Sequence, residues 1–161
     1  MKKINIEASG YVYESMDDLS PEDKSLMEVA IEATQNSYSP YSNFRVGAAL
    51  LLEDGTVITG SNQENAAYPS GMCAERVAIW KAGATYPDKK VKKIAITANS
   101  PQKLVDKPVG PCGACRQSLL EYEVKQEEPM EVIFMGAVGQ VVKVESITAM
   151  LPFSFDGSYL P

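Results

Sequence analysis

The chain has no histidine, only three cysteines and a single tryptophan among 161 residues. Without imidazole, any metal site must draw on sulfur and carboxylate, and proton transfer near neutrality falls to a carboxyl group. Three cysteines cannot all pair as disulfides, and their grouping suits metal or thiol chemistry better than a disulfide framework. Long apolar runs are missing too; no stretch approaches the 18 or more residues of a membrane span. The opening Met1-Lys2-Lys3-Ile4-Asn5-Ile6-Glu7 is broken by Asn5 and Glu7 where a signal peptide would turn apolar. These absences predict a cytoplasmic protein with no membrane partner. Positive charge is also short, with 15 Lys and Arg against 21 Asp and Glu and a net charge of −6. An acidic chain gives no electrostatic help in capturing a polyphosphate, which argues against nucleic acid and favours a small substrate.

What is present is ordinary for a folded domain: 45% hydrophobic and 22% charged residues. A chain of this length buries roughly 70% of its unfolded surface, enough to need no metal or disulfide staple. We read residues 1–19 as an N-terminal extension, with Tyr11 and Tyr13 alternating as a short half-buried strand would, and residues 20–161 as one domain. Ser20-Pro21-Glu22-Asp23 starts a helix reaching about Asn36: serine caps, proline takes the first turn, and the acidic pair suits the dipole. Strands follow at Arg45–Leu52 and Thr56–Gly60, joined by the Asp54-Gly55 turn. The polar stretch from Ser61 to Met72 is a loop of a length that is often functional. A helix begins at Cys73 with Ala74, Val77, Ala78 and Trp80 or Lys81 facing inward. A strand at Val91–Ala98, a helix at Pro111–Tyr122, strands at Glu131–Ala137 and Val141–Val144, and a short helix at Ser146–Leu151 complete the order. Helices interleaved with strands predict a three-layer α/β/α fold around a five-stranded mixed sheet.

All three cysteines fall in two short stretches, Gly71-Met72-Cys73-Ala74-Glu75-Arg76 and Pro111-Cys112-Gly113-Ala114-Cys115-Arg116. Cys112 and Cys115, three apart on one helical turn, can converge on one ion. Cys73 and Cys112 each stand at a predicted helix start, where free N–H groups and the positive dipole end favour thiolates. Three protein ligands with an open fourth position are the catalytic form of zinc site, whereas structural sites close with four. Glu75 is placed to handle protons beside such a site. Residues two apart lie on opposite sides of a helix, so Cys73 and Glu75 serve one centre only if the ion sits off the helix end. Three thiolates leave a zinc centre with a net charge of −1; Arg76, and more weakly Arg116, are candidates to donate hydrogen bonds to sulfur. A redox Cys112/Cys115 pair at a helix start remains the alternative on spacing alone.

The pattern Cys73-Ala74-Glu75 with Pro111-Cys112-x-x-Cys115 resembles the signature of the zinc-dependent cytidine deaminase superfamily. Tyr41-Ser42-Asn43-Phe44-Arg45-Val46-Gly47-Ala48-Ala49 and Asn62-Gln63-Glu64-Asn65-Ala66 extend the likeness to the small, three-cysteine, homotetrameric members. It runs from about Tyr38 to Phe155 and leaves the residues before Ser20 outside. The resemblance implies one Zn2+ per subunit on Cys73, Cys112 and Cys115, and hydrolytic deamination of cytidine and deoxycytidine in pyrimidine salvage. Glu75 would take the water proton, pass it to N3 and protonate the leaving amine. Phe44 would pack on the pyrimidine, and Asn62 and Glu64 would hold the ribose hydroxyls. A carboxylate suits a hydroxyl but repels a 5′-phosphate, which favours a free nucleoside. The backbone N–H of Cys112 or of Ala74 would contact the base, with Ala66, Tyr68 and Phe155 at positions that reach across subunits. Rival readings are deamination of another amino-heterocycle such as a nucleoside antibiotic, a thiol-disulfide oxidoreductase using Cys112 and Cys115, and a non-catalytic zinc protein.

Overall fold

The structure is a computed structural model that describes residues 1–160. Its order is β1 (Tyr11–Tyr13), α1 (Pro21–Ala33), β2 (Arg45–Leu52), β3 (Val57–Ser61), α2 (Ala74–Thr85), β4 (Val91–Asn99), α3 (Gly113–Gln126), β5 (Glu131–Met135), β6 (Val141–Val144) and α4 (Ile147–Met150). The strands form one mixed sheet in the order β1-β6-β5-β4-β2-β3, in which β4 and β5 run parallel and every other pair antiparallel. The sheet therefore has six strands rather than the expected five. The sixth is β1, which pairs Tyr11 with Lys143 and Tyr13 with Val141 along the outer side of β6. Three alternating residues are too short a pattern to announce a partner 130 positions away.

The three-layer arrangement follows from which side chains each strand sends to either face. Along β2, Ala48, Leu50 and Leu52 join Ile94 and Ile96 beneath α2, α3 and α4. Ala49 and Leu51 point the other way and pack with Ala95 and Ile133 under Leu26, Met27 and Ala30 of α1. A strand covered on both faces reads as a continuous apolar run, as Arg45–Leu52 does after its first residue. Ser20 caps α1 by accepting from the Asp23 amide, with proline in the first turn.

Gly60 sets the place of α2. A Cβ there would stand 2.4 Å from the Ala74 carbonyl oxygen and 2.6 Å from the Ala78 nitrogen, so only glycine lets the first turn of α2 lie directly on β3. That contact turns Ala74, Ala78 and Ala82 inward with Glu75 and Ile79 beside them. The expected inward face is corrected here: Trp80 is exposed and Lys81 faces solvent, because the stripe against the sheet follows the 74/78/82 row.

Two buried polar clusters hold the outer layers. Asp23 of α1 accepts from Lys93 at 2.7 Å and from Lys143 at 2.9 Å, while Glu131 reaches both lysines at 3.2 and 3.1 Å. On the opposite face the Glu123 carboxylate accepts from the amides of Met130, Ile147 and Thr148 and from the Thr148 hydroxyl. One side chain thus ties the end of α3 to the starts of β5 and α4, filling orphan donors at the α4 N-terminus.

Candidate metal centre and substrate cavity

Strands β3 and β4 run in the same direction, with β2 between them, and each hands on to a helix at its carboxyl end. The N-termini of α2 and α3 therefore meet at one edge of the sheet, the usual place for a ligand crevice in an open α/β sheet. Cys73 is the N-cap of α2 and Cys112 the N-cap of α3, and neither sulfur caps its own helix. Cys115 lies one turn into α3 and is fully buried. The three sulfurs lie within 4.8 Å of one another, and Cys112 Sγ is 3.4 Å from Cys115 Sγ. Cys73 precedes the first helical turn, so it and Glu75 face the same space off the helix end.

The donor set suits a soft dication. Tetrahedral zinc with bonds of about 2.3 Å separates its sulfurs by about 3.8 Å, within the observed spread. Electrostatics point the same way. A hydrogen bond from Cys115, helped by the Arg76 guanidinium, holds the Cys73 thiol down to about 5, while that same shared proton and burial push Cys115 well up. A cation among the three sulfurs would relieve this crowding by stabilising all of them as thiolates. Arg76 donates to Cys73 Sγ at 3.4 Å and lies 5.9 Å from the centre of the Trp80 ring. Its Nε is buried and has no partner among the described residues. Arg116 is turned elsewhere. It donates to the carbonyls of Pro111 and Met150, bracing the start of α3 against α4, and leaves the sulfurs to Arg76.

A cavity of about 700 Å³ opens over the cysteines. Phe44, Asn62, Glu64, Tyr68, Cys73, Glu75, Arg76 and Cys112 all line it. Glu75 is buried, and that burial raises its carboxyl above the ordinary range. Its neighbour Ala74 is wholly buried against Gly60 and contributes no side chain to the wall. Ala66 stands exposed on the 61–72 loop, outside the cavity lining. Phe155 is also outside it, exposed and stacked on Tyr159 at 5.5 Å, with its carbonyl accepting from Gln117.

The loop carrying Phe44 is tightly held. Asn43 adopts a left-handed conformation, with φ of 54°, which asparagine tolerates better than most residues. The Asn62 side chain accepts from the Val46 amide at 2.8 Å and the Ser37 hydroxyl at 2.6 Å, and donates to the Phe44 carbonyl at 2.9 Å. Glu64 accepts from the amides of Tyr41 and Ser42 and from the Ser42 hydroxyl, whose hydrogen bond holds its carboxyl low. Sequence reasoning missed Tyr41, Gln63, Met72, Val109 and Gly110 in the wall. Tyr41 and Tyr68, in T-shaped contact at 6.1 Å, close one side of it. The run of polar and turn residues before Phe44 was the available signal for Tyr41.

Comparison with known proteins supports the same grouping. The sequence model described as the cytidine and deoxycytidylate deaminase zinc-binding region matches residues 20–127. A cytidine deaminase of Halalkalibacterium halodurans is 38% identical over 130 residues, covering 81% of this chain and 91% of that one. One from Sporosarcina psychrophila is 46% identical over 91 residues, 56% of this chain and 62% of its own length. The crystal structure of cytidine deaminase from Burkholderia pseudomallei superposes with a TM-score of 0.70 at 37% identity, covering 85% of this chain and all of that one. On its matched region, its fold and its cysteine cluster, the chain belongs to the zinc-binding cytidine and deoxycytidylate deaminase family.

Proposed function

We propose that the chain is a zinc-dependent cytidine deaminase that hydrolyses cytidine and deoxycytidine to uridine and deoxyuridine. The observation that carries this reading is the convergence of three sulfurs beside the buried Glu75, under a cavity large enough for a nucleoside. Cys73, Cys112 and Cys115 hold one Zn2+ per subunit, and Arg76 offsets their charge through Cys73. When bound, zinc supplies an open fourth position and lowers the pKa of water there to about 7.

Glu75 takes one proton from the attacking water and delivers it to N3 as C4 becomes tetrahedral. It then takes the remaining proton of the new C4 hydroxyl and gives it to the departing amine, which leaves as ammonia while C4 becomes a carbonyl. A single buried carboxyl moves all of these protons, consistent with a chain that has no histidine. Phe44 packs on the pyrimidine, held in place from both sides by hydrogen bonds to its peptide groups. Ala74 acts through its backbone amide, which lies in the first helical turn where N–H groups have no intrahelical partner.

Asn62 and Glu64 read the sugar with what their internal bonds leave over. Asn62 has one N–H free, and Glu64 has one acceptor site free on the oxygen facing Ser42. One donor and one acceptor complement a single hydroxyl, which supports acceptance of both the ribo and deoxyribo sugars. Ala66, Tyr68 and Phe155 serve a homotetramer in which neighbouring subunits complete each site; the exposure of all three favours that role. Residues 20–161 form the catalytic domain and 1–19 an extension to it, and the enzyme works in cytoplasmic pyrimidine salvage.

The test is the ultraviolet change of cytidine mixed with zinc-loaded protein as cytosine becomes uracil. Turnover of cytidine and deoxycytidine supports the proposal, and no turnover of either refutes it.

A further inference from the structure

The Ser42 hydroxyl stands between two groups that the proposed function uses separately. It donates to Glu64 Oε1 and accepts from the Phe44 amide at 3.0 Å. A hydroxyl has one proton and two lone pairs, so both bonds can be made together and each polarises the other. The Ser42 amide adds a second contact, to Glu64 Oε2 at 3.3 Å. Phe44 has no other tie at its amide, and its carbonyl is held by Asn62. The ring and the carboxylate are thus set by one three-residue turn, Ser42-Asn43-Phe44, whose middle residue already sits in a left-handed conformation.

We infer that Ser42 is a positioning residue that couples Glu64 to Phe44, so that sugar and base are gripped as one unit. The inference rests on the nucleoside reading above and deepens it. Without the Ser42 hydroxyl, Glu64 keeps its two amide donors on Oε2 but loses the bond that fixes Oε1, while the Phe44 amide loses its acceptor. The loss falls on substrate binding and leaves the cysteines and Glu75 untouched, because neither Ser42 nor Glu64 contacts them. Its signature is a split between KM and kcat, which a merely structural defect does not produce.

The experiment compares wild type, Ser42→Ala and Ser42→Thr on cytidine, with zinc content measured for each. Ser42→Ala should raise KM about tenfold, the cost of removing a hydrogen bond to a charged group, with kcat within about twofold. Ser42→Thr keeps the hydroxyl and should recover most of the loss. A second measurement needs no substrate: the thermal unfolding midpoints of Ser42→Ala, Glu64→Gln and the double variant. If Ser42 acts through Glu64, the double variant melts with the singles rather than at the sum of their shifts. The inference falls if Ser42→Ala leaves KM unchanged, if Ser42→Thr behaves as Ser42→Ala, or if the midpoints add. Failure of the nucleoside reading looks different: wild type itself does not turn over cytidine, and the unfolding cycle then decides Ser42 alone.

Discussion

The Ala74 carbonyl oxygen occupies the space that a side chain on Gly60 would need, 2.4 Å from the nearest possible Cβ. Through that contact a strand residue thirteen positions before Cys73 decides where the cysteine stands. The obstacle is backbone, which cannot rotate aside as a side chain can. Gly60→Ala should therefore push α2 off β3, costing about 2–3 kcal/mol and weakening zinc binding. Denaturant unfolding and zinc titration against a competing chelator check both effects; a variant with wild-type values for both would remove Gly60 from the account of the site.

Glu75 is the one buried carboxyl in the cavity wall. Glu75→Gln keeps size and shape but cannot carry a proton, so turnover should fall by at least about 100-fold. Zinc content and the far-ultraviolet circular dichroism should stay as in wild type. Near-normal activity in the variant would exclude Glu75 as the proton carrier.

The ion-pair cluster under α1 makes a pH-dependent contribution to stability. Burial pushes the Asp23 carboxyl up, but hydrogen bonds from Lys93 and Lys143 outweigh it and hold the group below its ordinary value. A carboxyl lowered on folding stabilises the native state above its unfolded pKa of about 3.9, and that stability is lost as pH falls through the lower native value. Urea unfolding should show a loss below about pH 4 that is blunted in Asp23→Asn. At neutral pH the same variant leaves the buried Lys93 and the half-buried Lys143 short of a partner and should cost about 3 kcal/mol. An unchanged acid limb in Asp23→Asn would show that other carboxyls govern it.

Helix α3 closes on Glu127, whose φ of 54° is the left-handed conformation usually given to glycine. The strain exceeds the extra freedom that glycine has when unfolded, so Glu127→Gly should stabilise the protein by about 0.5–1 kcal/mol. Calorimetry should show the midpoint rising by roughly 2 °C. A fall would mean that the glutamate side chain contributes more than its backbone costs.

The same helix shows how far the sequence could be read. Its start was expected at Pro111 and falls two residues later, with Pro111 outside the helix and Cys112 as its N-cap; its end was placed at Tyr122, four residues early, since no glycine marks the stop at Glu127. The Asp54-Gly55 turn was readable because glycine takes a φ of 85° there. The two cysteine stretches pointed to a shared centre, but spacing alone left a redox Cys112/Cys115 pair open, and only the fold brings Cys73 within 4.8 Å of the other two sulfurs. Asn62 and Glu64 were legible as residue types only through resemblance. Their bonds to the Phe44 loop depend on a fold that brings residues about twenty positions apart together, which no local pattern encodes. The role of Arg116 was hidden for the same reason: its acceptor on Met150 lies 34 residues away.

Strand β1, only three residues long, also bears on behaviour at high concentration. Without it, β6 would present its own row of unpaired N–H and C=O groups as a template for another chain. Tyr11–Tyr13 pairs with that row and offers in its place a strip too short to recruit a neighbour. A segment that reads as an appendage thus acts as a guard against open-ended sheet growth.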